Sequence, residues 1–209
     1  MNELINTIIS TIIQIWIFAL IPFIFFLFRK DKNIKFGKYL WLYKAWNKSY
    51  FYVILVILLF LIFWVWIIFL DNEIKNIVLS ENSVTWKLRE LWGWFFTVII
   101  IFIIAFFKTA LAEEILFRWF LTKRFIYLFG FNIWNFLQAI IFGLVHFILF
   151  YFLVKTSFIA LIMVFCFSSF AWFMNWYINE KKSNWSIFPG ILAHGIGNFI
   201  SYLIIVLLI

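Results

Sequence analysis

The chain has 209 residues, of which 67% are hydrophobic and 12% are charged, and its net charge is +8. Soluble domains are closer to half apolar, so this composition excludes an ordinary water-soluble protein and predicts an integral membrane protein. The single cysteine, Cys166, excludes an internal disulfide, and its apolar neighbours predict a buried thiol.

Six apolar stretches follow one another along the chain, and each is long enough for a helix to cross a bilayer, which takes about 20 residues. The alternation that is typical of membrane β-barrel strands is absent. We therefore predict an all-α fold, a polytopic transmembrane helical bundle of about six spans. The predicted spans are 4–28, 50–70, a third that begins at Leu91 and runs into 112–120, 133–154, 156–178 and 185–209.

Basic residues are concentrated in segment 29–48, which holds seven Lys and Arg against one Asp. If this loop is cytoplasmic, the inner loops hold eleven basic residues and the outer loops four, so we expect both termini outside a plasma membrane. Such a loop also attracts anionic lipid headgroups. The pattern does not predict a nucleic-acid partner. The stretch 121–132 is open to two interpretations, a re-entrant turn or an interfacial helix.

The third span ends in three charged residues, Glu113, Glu114 and Arg118, although a charge inside a membrane costs about 2.5–3.5 kcal/mol. Glu114 and Arg118 are four residues apart and therefore face each other on a helix as an ion pair. Glu113 is rotated about 100° away from Glu114 and can face a cavity. The alternative is that all three reach water at the cytoplasmic end of the span, beside Lys123 and Arg124.

Both histidines of the chain, His146 and His194, lie within apolar spans. Ionisable groups inside a membrane usually mark function. Asn198 lies one helical turn after His194, so both side chains project to one side, roughly 6 Å apart along the axis. Gly195 and Gly197 allow another helix to approach closely. The alternative is an interhelical hydrogen-bonded pair that only stabilises the bundle.

A carboxylate with an imidazole can activate water as a general base. A second imidazole with an amide N–H can stabilise an oxyanion, so the set is suited to amide hydrolysis. Neither histidine has a Ser or Cys nucleophile beside it. Ser168 and Ser169 lie on the fifth span without the G-x-S-x pattern of an intramembrane serine protease.

Three motifs occur in order on three separate spans: Glu-Glu-x-x-x-Arg at 113–118, Phe-x-x-x-His at 142–146 and His-x-x-x-Asn at 194–198. Together they resemble the CPBP intramembrane proteases, which include CAAX prenyl endopeptidases and Abi-type bacteriocin-processing or immunity proteins. The resemblance implies a CAAX-protease-like core over 91–209. Residues 1–90 then add two transmembrane helices and the basic loop.

The resemblance also implies roles for the motif residues. Glu113 would be the catalytic carboxylate and would act with His146 on the attacking water, and His194 and Asn198 would hold the oxyanion. Other motif residues would support them.

Glu114 and Arg118 would be supporting residues, and Phe142, one turn before His146, would form a wall of the site. Family members commonly have Gly after the Arg, whereas this chain has Trp119. A bulky indole there would change the entry to the site, which affects the substrate preference more than the catalysis.

Metal dependence stays open at this stage. The zinc motif H-E-x-x-H is absent, and we expect a metal-independent Glu/His hydrolase without a cofactor. Glu113, His146 and His194 could still supply the three protein ligands of a catalytic zinc site.

The remaining alternatives concern the activity and the substrate. A non-enzymatic immunity or partner-binding protein of the same family is one alternative. A proton-coupled transporter is another, although the sequence has no inverted repeat. Abundant Ile, Phe, Lys and Asn are typical of an AT-rich bacterial genome. The resemblance implies a peptide or lipidated-peptide substrate near the cytoplasmic face, and a prenylated CAAX tail stays open as one alternative. Because most bacteria lack prenylated CAAX proteins, we favour a leader peptide, pheromone precursor or bacteriocin.

Overall fold

The computed structural model describes residues 2–28, 33–70, 72–81, 83–91, 94–153 and 156–208. Across these ranges the chain is helical and contains no strand, which confirms the predicted all-α fold. The α-helices are α1 (Asn2–Leu27), α2 (Phe36–Tyr39), α3 (Ser49–Leu70), α4 (Asn72–Val78), α5 (Val84–Arg89), α6 (Trp94–Phe102), α7 (Lys123–Phe129), α8 (Phe131–Leu153), α9 (Phe158–Tyr177) and α10 (Phe188–Leu208). Three π-helical segments are π1 (Ile103–Leu111), π2 (Glu114–Thr122) and π3 (Ile178–Lys182).

Six helical stretches of the described chain are long and apolar enough to cross a membrane, so this is a multi-pass membrane protein. They agree with the six predicted spans. They are Asn2–Leu27, Ser49–Phe69, Trp94–Phe117, Phe131–Phe152, Phe158–Lys182 and Phe188–Leu207. A helix pairs its own backbone N–H and C=O groups, which is what an environment without water requires.

Large apolar side chains cover the outside of the bundle; Trp16 and Phe152, for example, are 70% and 78% exposed. In a bilayer these surfaces face lipid. Cys166 also lies on the outer face of α9, so the prediction of a buried thiol is wrong. Its apolar neighbours indicated a membrane span correctly, but they cannot distinguish a lipid-facing position from an interior one.

The third span is one continuous helix that changes its winding along its length. It passes from α6 through π1, a short α-helical step at Ala112 and Glu113, π2 and α7. The helix ends at Gly130, whose φ of 75° is a left-handed conformation favoured by glycine, and whose N–H donates to Ile126 O at 2.8 Å. Residues 121–129 are therefore helical rather than a re-entrant turn.

Helix α1 packs on the third span through a narrow polar stripe of the spacing i, i+3, i+4, i+7, made of Thr7, Ser10, Thr11 and Gln14. Lys108 of π1 donates from Nζ to Ser10 Oγ at 3.0 Å, and Gln14 Nε2 donates to Lys108 O at 2.8 Å. Because α1 and α3 both pack directly on 91–209, the division at residue 90 stays a prediction.

The chain between α1 and α3 meets the short connection between π3 and α10. Tyr43 donates from its hydroxyl to Asn184 O at 2.7 Å, and Ser49 Oγ donates to Lys182 O at 2.7 Å. On the same side of the bundle, Leu40 packs against Ile115, two residues after Glu113. The basic loop and the acidic end of the third span therefore lie on the same face of the protein.

Candidate active site

Glu113 lies on the short α-helical step between π1 and π2. π-helical turns are rare and occur frequently at functional sites. Its side chain is 21% exposed, and among the described residues nothing donates a hydrogen bond to its buried Oε2. Among the described residues, the structure thus gives this carboxylate oxygen no donor inside an apolar bundle, a costly arrangement that is typical of a functional group.

His194 of α10 faces this carboxylate, with Nε2 at 4.0 Å from Glu113 Oε2. The close approach of α10 to π1 depends on the residue that follows the histidine. A Cβ on Gly195 would lie 2.5 Å from Cδ1 of Phe106, whereas a Cβ on Gly197 would meet Phe60 at an ordinary 3.7 Å. Of the two glycines, only Gly195 is required by the packing.

We therefore expect Gly195→Ala to lower the thermal unfolding midpoint in detergent, because overpacking costs about 1–3 kcal/mol. It also moves His194 away from Glu113, so we expect activity to fall by about tenfold or more. Gly197→Ala is the matched control. It should stabilise the protein, since replacing Gly by Ala inside a helix stabilises the helix by about 0.5–1 kcal/mol. Equal midpoints for the two variants would contradict the assigned packing.

Asn198 is engaged one turn further along α10. Its Nδ2 donates to Thr109 Oγ1 at 3.1 Å, and the Thr109 hydroxyl lies 2.9 Å from Ala105 O, to which it donates. This contact is the interhelical hydrogen bond considered as the alternative role of Asn198. The amide nitrogen carries two N–H groups, so a second donor of Asn198 is still available to a substrate.

His146 of α8 is held by its own helix, because Nδ1 lies 3.0 Å from Phe142 O. A carbonyl oxygen can only accept, so Nδ1 carries the hydrogen, and Nε2 is the basic nitrogen of the neutral ring. No hydrogen bond or ion pair joins His146 to Glu113 within the described part of the chain. The structure therefore brings His194, and not His146, against the carboxylate.

Two aromatic rings lie between the histidines. Phe142 packs on His146 with the ring centroids 4.4 Å apart and stacks on Trp172 at 4.0 Å. Trp172 in turn meets His194 edge-on at 6.2 Å, and its Nε1 donates to Gln138 Oε1 at 2.8 Å. Phe142 and Trp172 thus form one continuous aromatic surface that connects both imidazoles.

Glu114 points away from Glu113 into the protein, where its side chain is 0% exposed. Asn179 of π3 donates from Nδ2 to Glu114 Oε2 at 3.2 Å and accepts the Gly190 N–H at 2.7 Å. The predicted partner, Arg118, has its side chain outside the described residues, as does Trp119, so the predicted ion pair and the effect of the indole stay predictions.

Sequence reasoning missed four polar or aromatic residues that the structure connects to the motif residues or to their span: Lys108, Thr109, Trp172 and Asn179. Polar groups within apolar spans are the signal that could have identified three of them. Trp172 carried no signal, because the chain has 13 tryptophans, most of them in apolar surroundings.

The zinc alternative can be compared with the geometry of its donors. Within the described residues, no three His, Cys, Asp and Glu side chains come close enough to hold a metal ion. Glu113 and His194 face each other, but His146 does not complete the set. The arrangement does not fit a three-ligand metal centre, and we derive no step through a metal.

In the described chain, six helices that are long and apolar enough to span a membrane, with a carboxylate and an imidazole facing each other in the interior, define a polytopic membrane protein with a polar core. The family model described as type II CAAX prenyl endopeptidase Rce1-like matches residues 90–200, more than half of the chain, and the chain belongs to this family. This confirms the resemblance drawn from the motifs. No curated protein and no solved structure matches the chain significantly.

Proposed function

We propose that the protein is an intramembrane endopeptidase that hydrolyses a peptide bond with a water molecule activated by Glu113. One observation carries this proposal: an interior carboxylate oxygen without a described donor lies 4.0 Å from the His194 imidazole, within the region matched by an endopeptidase family. The family membership supports a peptide substrate and a site within the bilayer.

In the proposed reaction, the water oxygen attacks the carbonyl carbon of the scissile bond while Glu113 takes a proton from the water. His194 and the second N–H of Asn198 stabilise the resulting oxyanion. The C–N bond then breaks, and the proton held by Glu113 passes to the leaving amine. His146 would accept from the same water through Nε2, which requires the water to bridge the gap between His146 and Glu113.

We also propose that the site opens towards the cytoplasmic face of a bacterial plasma membrane, with both termini outside. The contact of Leu40 with Ile115 supports this, because it joins the basic loop to the end of the span that carries Glu113. Cytoplasmic loops are the basic ones. A leader peptide, pheromone precursor or bacteriocin that lies along this face would reach the site.

The proposal is tested by comparing membranes of cells that express the wild-type protein or the Glu113→Gln variant. Mass spectrometry of peptide termini should find new termini only with the wild-type protein. A prenylated CAAX peptide and an unprenylated leader peptide, added to the purified protein in liposomes, then separate the two substrate classes. Identical termini in both membranes would refute the proposed activity.

We expect cleavage to persist in millimolar EDTA or 1,10-phenanthroline, and the purified protein to contain far less than one zinc per chain. The reason is that Glu113, His146 and His194 do not assemble as a three-ligand set. Elemental analysis and the chelator series measure this directly. Stoichiometric zinc together with chelator-sensitive cleavage would instead assign the three residues to a metal.

A second candidate is a non-enzymatic immunity or partner-binding protein. It is favoured by the contact of Asn198 with Thr109 and by the lack of a direct contact between His146 and Glu113 within the described chain. If the protein protects cells against a bacteriocin and this protection survives Glu113→Gln, the polar interior serves the fold rather than hydrolysis.

A further inference from the structure

An open cavity of about 780 Å³ lies where the basic loop meets the connection between π3 and α10. Its lining residues are Ile34, Lys38, Tyr39, Trp41, Tyr43, Lys44 and Asn184. Neither Glu113 nor His194 is among them, so the cavity is separate from the candidate active site.

Hydrogen bonds join the two segments that form the walls of this cavity, which are more than 140 residues apart in the sequence. Tyr43 donates from its hydroxyl to Asn184 O at 2.7 Å, and Ser186 Oγ donates to Tyr43 O at 2.6 Å. The Ile187 N–H donates to Trp41 O at 3.2 Å. Burial and then the negative charge of Glu180 raise the pKa of Tyr43, so its hydroxyl stays a donor at neutral pH.

The backbone at the cavity is strained. Within the described chain, the non-glycine residues with positive φ are Trp41 (56°), Asn184 (51°) and Trp185 (65°), and two of the three line the cavity. For a bulky residue such as Trp this conformation is unusual. Backbone strain of this kind persists only where the surrounding structure imposes it, and it is concentrated at ligand-binding and other functional positions.

Two lysines supply the positive charge of the cavity. Lys38 and Lys44 are both exposed, and neither forms an ion pair with a carboxylate of the described residues. The lysines at the end of the fifth span differ, because Lys181 lies 4.0 Å from the centre of the Phe131 ring and Lys182 packs on tyrosine rings. The cavity therefore offers two available ammonium groups to an anion.

The position of the cavity identifies the kind of anion. It lies between the end of α1 and the start of α3, which are ends of two helices long and apolar enough to span a membrane, and three of its lining residues are Tyr or Trp. Tyr and Trp are enriched at the level of the lipid headgroups, where one side of the ring is apolar and the other is wet. Phospholipid phosphates occupy this same level.

We propose that the cavity binds the headgroup of an anionic phospholipid, with Lys38 and Lys44 contacting the phosphate and the rings of Tyr39 and Trp41 packing against its glycerol end. Basic residues near a membrane surface attract anionic lipids. A lipid bound here would hold the basic loop against the end of the third span. The proposal does not rest on the peptidase activity.

The test uses the full-length protein purified in detergent and titrated with phosphatidylglycerol or phosphatidylcholine, with bound lipid counted by native mass spectrometry. We expect tighter retention of phosphatidylglycerol, and about a tenfold or greater loss of its affinity in the double variant Lys38→Gln/Lys44→Gln. The matched control is Lys35→Gln/Lys48→Gln, which removes the same charge from the same loop but from residues that do not line the cavity. That control should change the affinity less than twofold.

Three outcomes would overturn the proposal: equal losses in the two double variants, equal retention of both lipids, or displacement of phosphatidylglycerol by millimolar inorganic phosphate. The last result would assign the cavity to a soluble phosphate. Lys38→Arg/Lys44→Arg keeps both positive charges and should therefore retain the lipid. This variant shows whether the glutamine variant loses lipid because the charge is removed or because the loop is disturbed. Thermal unfolding without added lipid checks that all variants are folded.

Discussion

Glu113→Gln should lower the rate of peptide cleavage by about 10²–10⁴-fold, the contribution expected of a general base. Glutamine has nearly the same shape but cannot take a proton from water. The substitution also removes an ionisable group from an apolar interior, where its charged form is costly. We therefore expect the thermal unfolding midpoint to stay unchanged or to rise while the activity disappears. Single-turnover cleavage and thermal unfolding in detergent measure the two effects separately.

The control for this experiment is Glu90→Gln. Glu90 is exposed and lies outside the spans, and its only described side-chain contact is a 3.0 Å hydrogen bond from Trp86 Nε1. Its substitution should leave cleavage within twofold of the wild type. If Glu113→Gln retains more than one tenth of the wild-type rate, Glu113 is not the base, and the hydrolytic assignment of this site fails.

Asn179→Ala should destabilise the protein by about 2–6 kcal/mol, because two buried polar groups lose a partner at about 1–3 kcal/mol each. Asn179 lies in π3, is 0% exposed, and connects Glu114 to the Gly190 N–H. Gly190 is one turn before His194, so the same side chain sets the position of α10 relative to the third span. Equilibrium unfolding in detergent measures the change in free energy.

Asn175→Ala is a matched control in the same span, one turn earlier, at the end of α9. Asn175 is also buried, but its Nδ2 reaches Gly190 O only at 3.5 Å, and its Oδ1 has no hydrogen-bond partner in the described chain. We expect a loss of less than half that of Asn179→Ala. If the two variants are equally destabilised, the hydrogen bonds of Asn179 to Glu114 and α10 contribute no more to the stability than the weaker contact of Asn175.

The six spans and the family were predictable from the sequence for one physical reason. In a membrane, each helix must be apolar over about 20 residues and must satisfy its own backbone, so a span is encoded locally. The same rule makes an ionisable residue such as Glu113 or His194 conspicuous, because its cost within an apolar run has to be offset by function or partners. Three motifs at fixed spacing then identified the family that the family model matches.

The contacts between the spans were not encoded locally. Asn198 donates to Thr109 where Gly195 leaves space for the third span, and Asn179 connects Glu114 to α10 where Gly190 leaves space for the Asn179 side chain. Cys166 shows the same limit, since an apolar neighbourhood does not distinguish lipid from protein interior. The sequence by itself determined which stretches are apolar enough to span a membrane and which residues within them carry groups that could take part in proton transfer. Only the tertiary structure decided that His194, and not His146, faces Glu113, because helix rotation and helix separation depend on residues that are distant along the chain.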